Sequence, residues 1–130
     1  MGEPLFSIII PVYNCEKYIE ETLNSIFEQD FNDYEVICID DCSTDNSYNF
    51  LLKAQEQHKN LKVIKNTVNM HQGAARNRGI EASKGKYLWF VDSDDLLEKN
   101  ALKNLSIYLS IYLSIPIFCF FIVHIFLMKV

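Results

Sequence analysis

Between residues 5 and 104 the apolar positions fall into two kinds of run. Phe6-Ser-Ile-Ile-Ile-Pro-Val12 is short and β-branched and is ended by Pro11, which suits a strand buried on both faces. Ile19, Leu23, Ile26 and Phe27 then recur at i, i+4, i+7 and i+8, one face of a helix. Glu35 to Ile39 reads as a second strand. Asp45 or Asn46 is placed to cap a helix whose apolar stripe is Tyr48, Leu51, Leu52 and Gln55. Leu61 to Ile64 is a short third strand. Gly73 to Ser83 is a helix rich in Ala and Gly, able to pack close to a sheet; Gly73 and Gly79 read as backbone devices at its start and at its packing face. Gly85 ends this helix, and Tyr87 to Val91 is a fourth strand. The order β-α-β-α-β-α-β predicts an α/β, parallel, doubly wound sheet with right-handed crossovers. The length suits one domain with one core.

In open parallel sheets, ligands bind beyond the carboxyl ends of the strands. The polar clusters of this chain fall at those ends: Tyr13-Asn14 after the first strand, Asp40-Asp41 after the second, and Asp92-Ser93-Asp94-Asp95 after the fourth. One Asp there could simply cap the next helix. Several carboxylates at one edge repel unless a divalent cation neutralises them, and hard oxygen ligands suit Mg²⁺ or Mn²⁺, ions that commonly bridge to phosphates. The formal net charge of −5, with no Lys/Arg block, argues against a nucleic-acid partner. Cys15, Cys38, Cys42 and Cys119 form no CxxC pair and read as free thiols of a reducing compartment. With no basic segment ahead of a signal-like apolar run, a cytoplasmic location is expected. His71 and His58 read as solvated, and Arg78 as a helix-face arginine. A nucleotidyltransferase on a similar sheet would need a glycine-rich, basic loop near the first strand, which PVYNCEKY does not supply.

The segments SIIIPVYN (7–14), YIEETLNSIFEQDF (18–31), VICIDDCSTDNS (36–47) and NMHQGAARNRGIEASKGKYLWFVDSDD (69–95) closely resemble the donor-binding half of a family 2 glycosyltransferase. That resemblance implies a Rossmann-like nucleotide-binding half-domain of GT-A type over residues 1–104. It also implies transfer of a sugar from a nucleotide-diphosphate donor, UDP-linked above all, to a glycan or lipid-linked acceptor in bacterial surface-glycan synthesis. It places Pro11 in the donor-binding site, Tyr13 against the nucleobase, Asp41 on the base edge with Asp40 nearer the strand, and Arg76 beside the nucleotide and its diphosphate. Asp92 would touch the ribose, and Asp94 would ligate the metal that bridges the phosphates; Asp95 would cap or buttress the following turn. The usual DDGSTD is DDCSTD here, a departure at Cys42. In this family the acceptor pocket and the general base lie well beyond the DxD, and the match stops near Asn104. The catalytic base is therefore expected to be absent from this chain, and transfer to be weak. A nucleotide-sugar-binding fragment without transferase activity is the other reading.

From Leu105 to Met128 there are 24 residues without Asp, Glu, Lys or Arg. Such a stretch is long enough to cross a hydrocarbon core of ~30 Å as a helix. Lys99 and Lys103 before it would hold the preceding part on the cytoplasmic face of a membrane. It opens LSIYLSIYLSI, a repeat of period four that neither helix nor strand requires. Tandem TATC encodes Tyr-Leu-Ser-Ile in every frame without a stop. Residues 105–130 are thus expected to be either a membrane anchor, as in a small single-pass protein, or an out-of-frame extension of a slippage-prone gene.

Overall fold

The computed structural model describes residues 2–112. The elements run β1 (Phe6–Val12), α1 (Ile19–Phe27), β2 (Tyr34–Asp40), α2 (Ser47–Gln57), β3 (Leu61–Lys65), α3 (His71–Ala82), β4 (Tyr87–Phe90) and α4 (Ala101–Tyr112). All strand pairings are parallel, and the spatial order is β3-β2-β1-β4. The chain winds outward from β1 through β2 to β3, then returns across β1 to place β4 on its other side. β1 is thereby flanked on both edges, and every residue of it is buried, including Ser7, whose Oγ donates to Glu35 Oε1 at 2.6 Å.

The pleat sorts the side chains of β1 to two faces. Phe6, Ile8, Ile10 and Val12 join Ile19, Leu23 and Ile26 of α1, Leu51 and Ala54 of α2, and Leu102, Leu105 and Leu109 of α4 in one cluster. Ile9 joins Ile37, Ile39 and Ala75 of α3 on the opposite face. Helices thus cover both faces, the doubly wound arrangement.

Several local expectations shift. The buried stripe of α2 is Ser47, Leu51 and Ala54, not Tyr48, Leu51, Leu52 and Gln55. Ser47 is tolerated inside because its Oγ accepts the Cys15 N–H at 2.8 Å, while Gln55 reaches out to accept the Val63 N–H. Asp45 supports the start of α2 by accepting the Ser47 N–H on Oδ1 at 2.9 Å and the Glu16 N–H on Oδ2 at 3.2 Å. Burial alone would raise its carboxyl, but the bonds from Ser47 and Glu16 together outweigh burial and hold it below the ordinary value. α3 begins at His71, so Gly73 lies inside it rather than at its start, and its end is Ala82. Gly85 answers a different need: a Cβ there would run into the backbone of Phe6 and Ser7, and its N–H donates to Ser7 Oγ at 2.8 Å. His58 is half-buried and stacks on Phe27, with ring centroids 3.7 Å apart.

The charge-free stretch that starts at Leu105 continues α4 through Tyr112, across the boundary expected at residue 104. Its leucines at 102, 105 and 109 recur at i, i+3 and i+7 and close the first core cluster. Among the described residues no helix is long and apolar enough to cross a membrane. The rest of the expected anchor or out-of-frame segment, and Cys119, lie outside the described residues.

Candidate functional site at the strand ends

Reversal of strand order at β1 opens a crevice between the carboxyl ends of β1 and β4, the place where such sheets hold ligands. A cleft of about 350 Å³ occupies it. Its walls include Pro11, Tyr13, Asp41, Asp92 and Asp94, all expected from the sequence. Asn69, His71 and Gln72, at and just before the start of α3, border it, as do Cys15 and Ser93.

Each wall residue is held by the strand that precedes it. Pro11 and Val12 are fully in register with Ile39 and Asp40, and Asp41 donates its N–H to Val12 O at 2.8 Å. Tyr13, the next residue of the β1 end, is 42 % exposed, so it is a cleft tyrosine rather than a core one. Asp40 is fully buried and accepts the Ser43 N–H on Oδ2, which puts it behind the cleft as a brace for the loop. Asp41 lines the cleft itself. Arg76 projects from α3, and its Nη2 lies 3.2 Å from Asp92 Oδ1. Both side chains are more than a third exposed, so this pair orients the guanidinium more than it stabilises the fold.

Carboxylate oxygens of Asp92, Asp94 and Asp95 lie within 4.8 Å of one another. Asp95, expected only to cap the next turn, therefore joins the cluster, while its N–H also closes a turn onto Asp92 O at 3.0 Å. Burial, with the charges of Asp92 and Asp94 added, pushes the Asp95 carboxyl above its ordinary value. Three hard oxygens under mutual repulsion fit the donor set of Mg²⁺ or Mn²⁺. The loop that carries them is pinned at its middle residue: Thr22 Oγ1 donates to Ser93 O at 2.9 Å, and Cys15 Sγ lies 2.7 Å from Ser93 Oγ.

Sequence reasoning missed a second group. Asn66, at the end of β3, is fully buried and donates Nδ2–H to Asp41 Oδ1 at 2.9 Å. Asp41 Oδ1 also accepts the Met70 N–H at 2.7 Å. Arg78, expected to be solvated on its helix face, instead donates through Nη1 to Asn66 Oδ1 and to Lys65 O. The signal was weak because the partners belong to β3 and α3, which meet only once the β3–α3 loop folds back.

An open parallel sheet with an acidic cleft at its switch point defines a Rossmann-like α/β protein of the nucleotide-binding type. The chain belongs to the family described as Glycosyl transferase family 2, whose profile matches residues 7–110. Over 99 residues it is 48 % identical to the poly(ribitol-phosphate) beta-glucosyltransferase of Bacillus spizizenii, a match that covers 74 % of this chain and 16 % of that protein. The crystal structure of S. aureus TarS 1-349 in complex with UDP-GlcNAc superposes with a TM-score of 0.79 at 39 % identity, over 86 % of this chain and 32 % of that one. The mannosyltransferase PcManGT from Pyrobaculum calidifontis, in complex with GDP-Man and Mn²⁺, gives 0.75 at 28 % identity, over 84 % and 33 %. The chain thus spans 16 % of the length of its curated Bacillus relative and about a third of each of these solved chains. The relatives include glycosyltransferases of bacterial cell-surface polymer synthesis.

Proposed function

We propose that this chain is the donor-binding part of a transferase that moves a sugar from a nucleoside-diphosphate donor, UDP-linked, to a glycan or lipid-linked acceptor of a bacterial surface polymer. The observation that carries this reading is the convergence of Asp92, Asp94 and Asp95 beside Arg76, at the mouth of a cleft whose other wall is Tyr13 and Asp41. The cleft has an aromatic face for a base, a carboxylate for its polar edge, and an arginine with an acidic cluster for a diphosphate. Mg²⁺ or Mn²⁺, held by Asp94 with its neighbours, would supply positive charge against the departing nucleoside diphosphate. Asp92, already bonded to Arg76, would meet the ribose. Cys15, Cys38 and Cys42 are free thiols, which suits a site working in the reducing cytoplasm, where we place it.

Titration calorimetry of the full chain with UDP tests the reading. Affinity is expected to rise about 10- to 100-fold when MnCl₂ is present, the scale of one or two charge-assisted contacts. Asp94→Ala should bind UDP with the same weak affinity whether or not Mn²⁺ is added. Equal affinity for the wild-type chain in both conditions would remove the metal from the proposal, and absence of UDP binding would remove the donor.

A further inference from the structure

We infer that Arg78 is a positioning residue that sets which nucleobase the cleft accepts, acting through Asn66 on Asp41; this rests on the donor reading above. Asn66 offers its NH₂ to the acceptor-only Asp41 carboxylate, which leaves the amide oxygen to be held from the other side. The Arg78 guanidinium has only donors, so it fixes Asn66 Oδ1 toward itself and turns Nδ2–H toward Asp41 Oδ1. With the Met70 N–H, that gives Asp41 Oδ1 two donors and orients the carboxylate plane. Asp41 lines the cleft, and its second oxygen is left for a ligand.

A carboxylate held in this way can only accept. It matches a base edge that presents N–H, such as N3–H of uracil, and opposes the lone pair at N3 of cytosine. Polar sites reject the wrong partner strongly because a buried acceptor is left facing another acceptor. Without Arg78 the Asn66 amide is held from one side only, its Nδ2–H is free to drift from Asp41 Oδ1, and the orientation that produces this discrimination is lost. Arg78 itself is not among the residues that line the cleft.

UDP and CDP share ribose and diphosphate, so contributions from the metal and from Arg76 cancel in the ratio of their affinities. Calorimetry of the full chain in Mn²⁺ should show wild type preferring UDP to CDP by about tenfold or more. Arg78→Met, an unbranched replacement at a half-buried helix position, should bring that ratio close to one by weakening UDP while leaving CDP nearly unchanged. Arg78→Lys keeps a donor and should restore most of the ratio. In an Asp41→Asn background, Arg78→Met should have no further effect on the ratio, a coupling that a purely structural role would not produce. If Arg78→Met lowers both affinities equally, leaves the ratio intact, or acts undiminished in the Asp41→Asn background, the assignment is wrong while the donor site stands. If wild type binds neither nucleotide, the donor reading itself falls and takes this one with it.

Discussion

Cys42 lies at φ 65°, in the turn directly after the buried Asp40-Asp41 pair. An L-residue in the left-handed region costs roughly 1–2 kcal/mol, a cost glycine avoids. The side chain recovers little, since Cys42 Sγ meets Thr67 O only at 3.7 Å. Cys42→Gly should therefore stabilise the fold by about 1 kcal/mol, seen in urea as a higher midpoint at unchanged slope. A lower midpoint would mean that the Thr67 contact or chain entropy outweighs the backbone. Asn14 and His71 share the conformation, at φ 49° and 67°. Asn14 follows β1, and its Oδ1 accepts the Thr44 N–H at 2.7 Å, while His71 opens α3 on the cleft wall. All three non-glycine residues with positive φ among those described thus sit at the carboxyl edge of the sheet, where ligand-binding loops gather strain. The departure at Cys42 was legible in the sequence as DDCSTD; Asn14 and His71 were not, because neither residue type demands that backbone.

At the level of elements, α3 shows why some features were readable and others not. Its contact with the sheet is made by Ala75 and Gly79, so no large apolar residues mark its inner face. A Cβ on Gly79 would overlap the branched Ile9 side chain and press on Ile39 Cδ1, whereas one on Gly73 would meet nothing within 4 Å. Gly79→Ala should consequently destabilise the protein by about 1–3 kcal/mol by lifting α3 from β1 and β2. Gly73→Ala should be neutral or stabilise by about 0.5–1 kcal/mol through helix propensity. Paired denaturation midpoints check both, and equal effects would refute the packing argument. Close packing by Gly79 could be read from composition, but not the start of α3, since His71 and Gln72 carry no apolar signal. The four strands were legible within a residue or two because their β-branched or aromatic runs are bounded by polar clusters. The stripe on α2 was misread for a physical reason: Ser47 and Ala54 are buried by fit and hydrogen bonding, which hydrophobicity does not register. Likewise His58 is partly covered by Phe27, a partner 31 positions earlier rather than a neighbour in sequence.

For the molecule as a whole, strand ends deliver the site and helices on both faces hold the strands in place. Tyr13, Asp41 and Asp92 could be assigned to one edge from the β-α alternation, because parallel strands end on the same side. Their convergence on one cleft needed the observed order β3-β2-β1-β4, which brings the end of β4 beside that of β1. The charge-free run after Asn104 was read by composition as separate from this unit; its first residues, through Tyr112, continue α4, and a helix that seals a core has the same composition as the start of an apolar tail. The repeat LSIYLSIY has both characters: Leu105 and Leu109 are 2 % and 3 % exposed, while Ile107 is 47 % exposed. Ser106 and Ser110 turn their hydroxyls back to Lys103 O and Ile107 O, so the serines need no tertiary partner. If α4 belongs to the cooperative fold, Leu109→Ala in the full chain should cost about 2–4 kcal/mol, the range for a buried leucine. Ile107→Ala, two residues earlier on the exposed side, should stay within about 1 kcal/mol of wild type. Chemical denaturation of the two variants decides between the alternatives. A Leu109→Ala midpoint as close to wild type as that of Ile107→Ala would separate α4 from the core and return the boundary to residue 104.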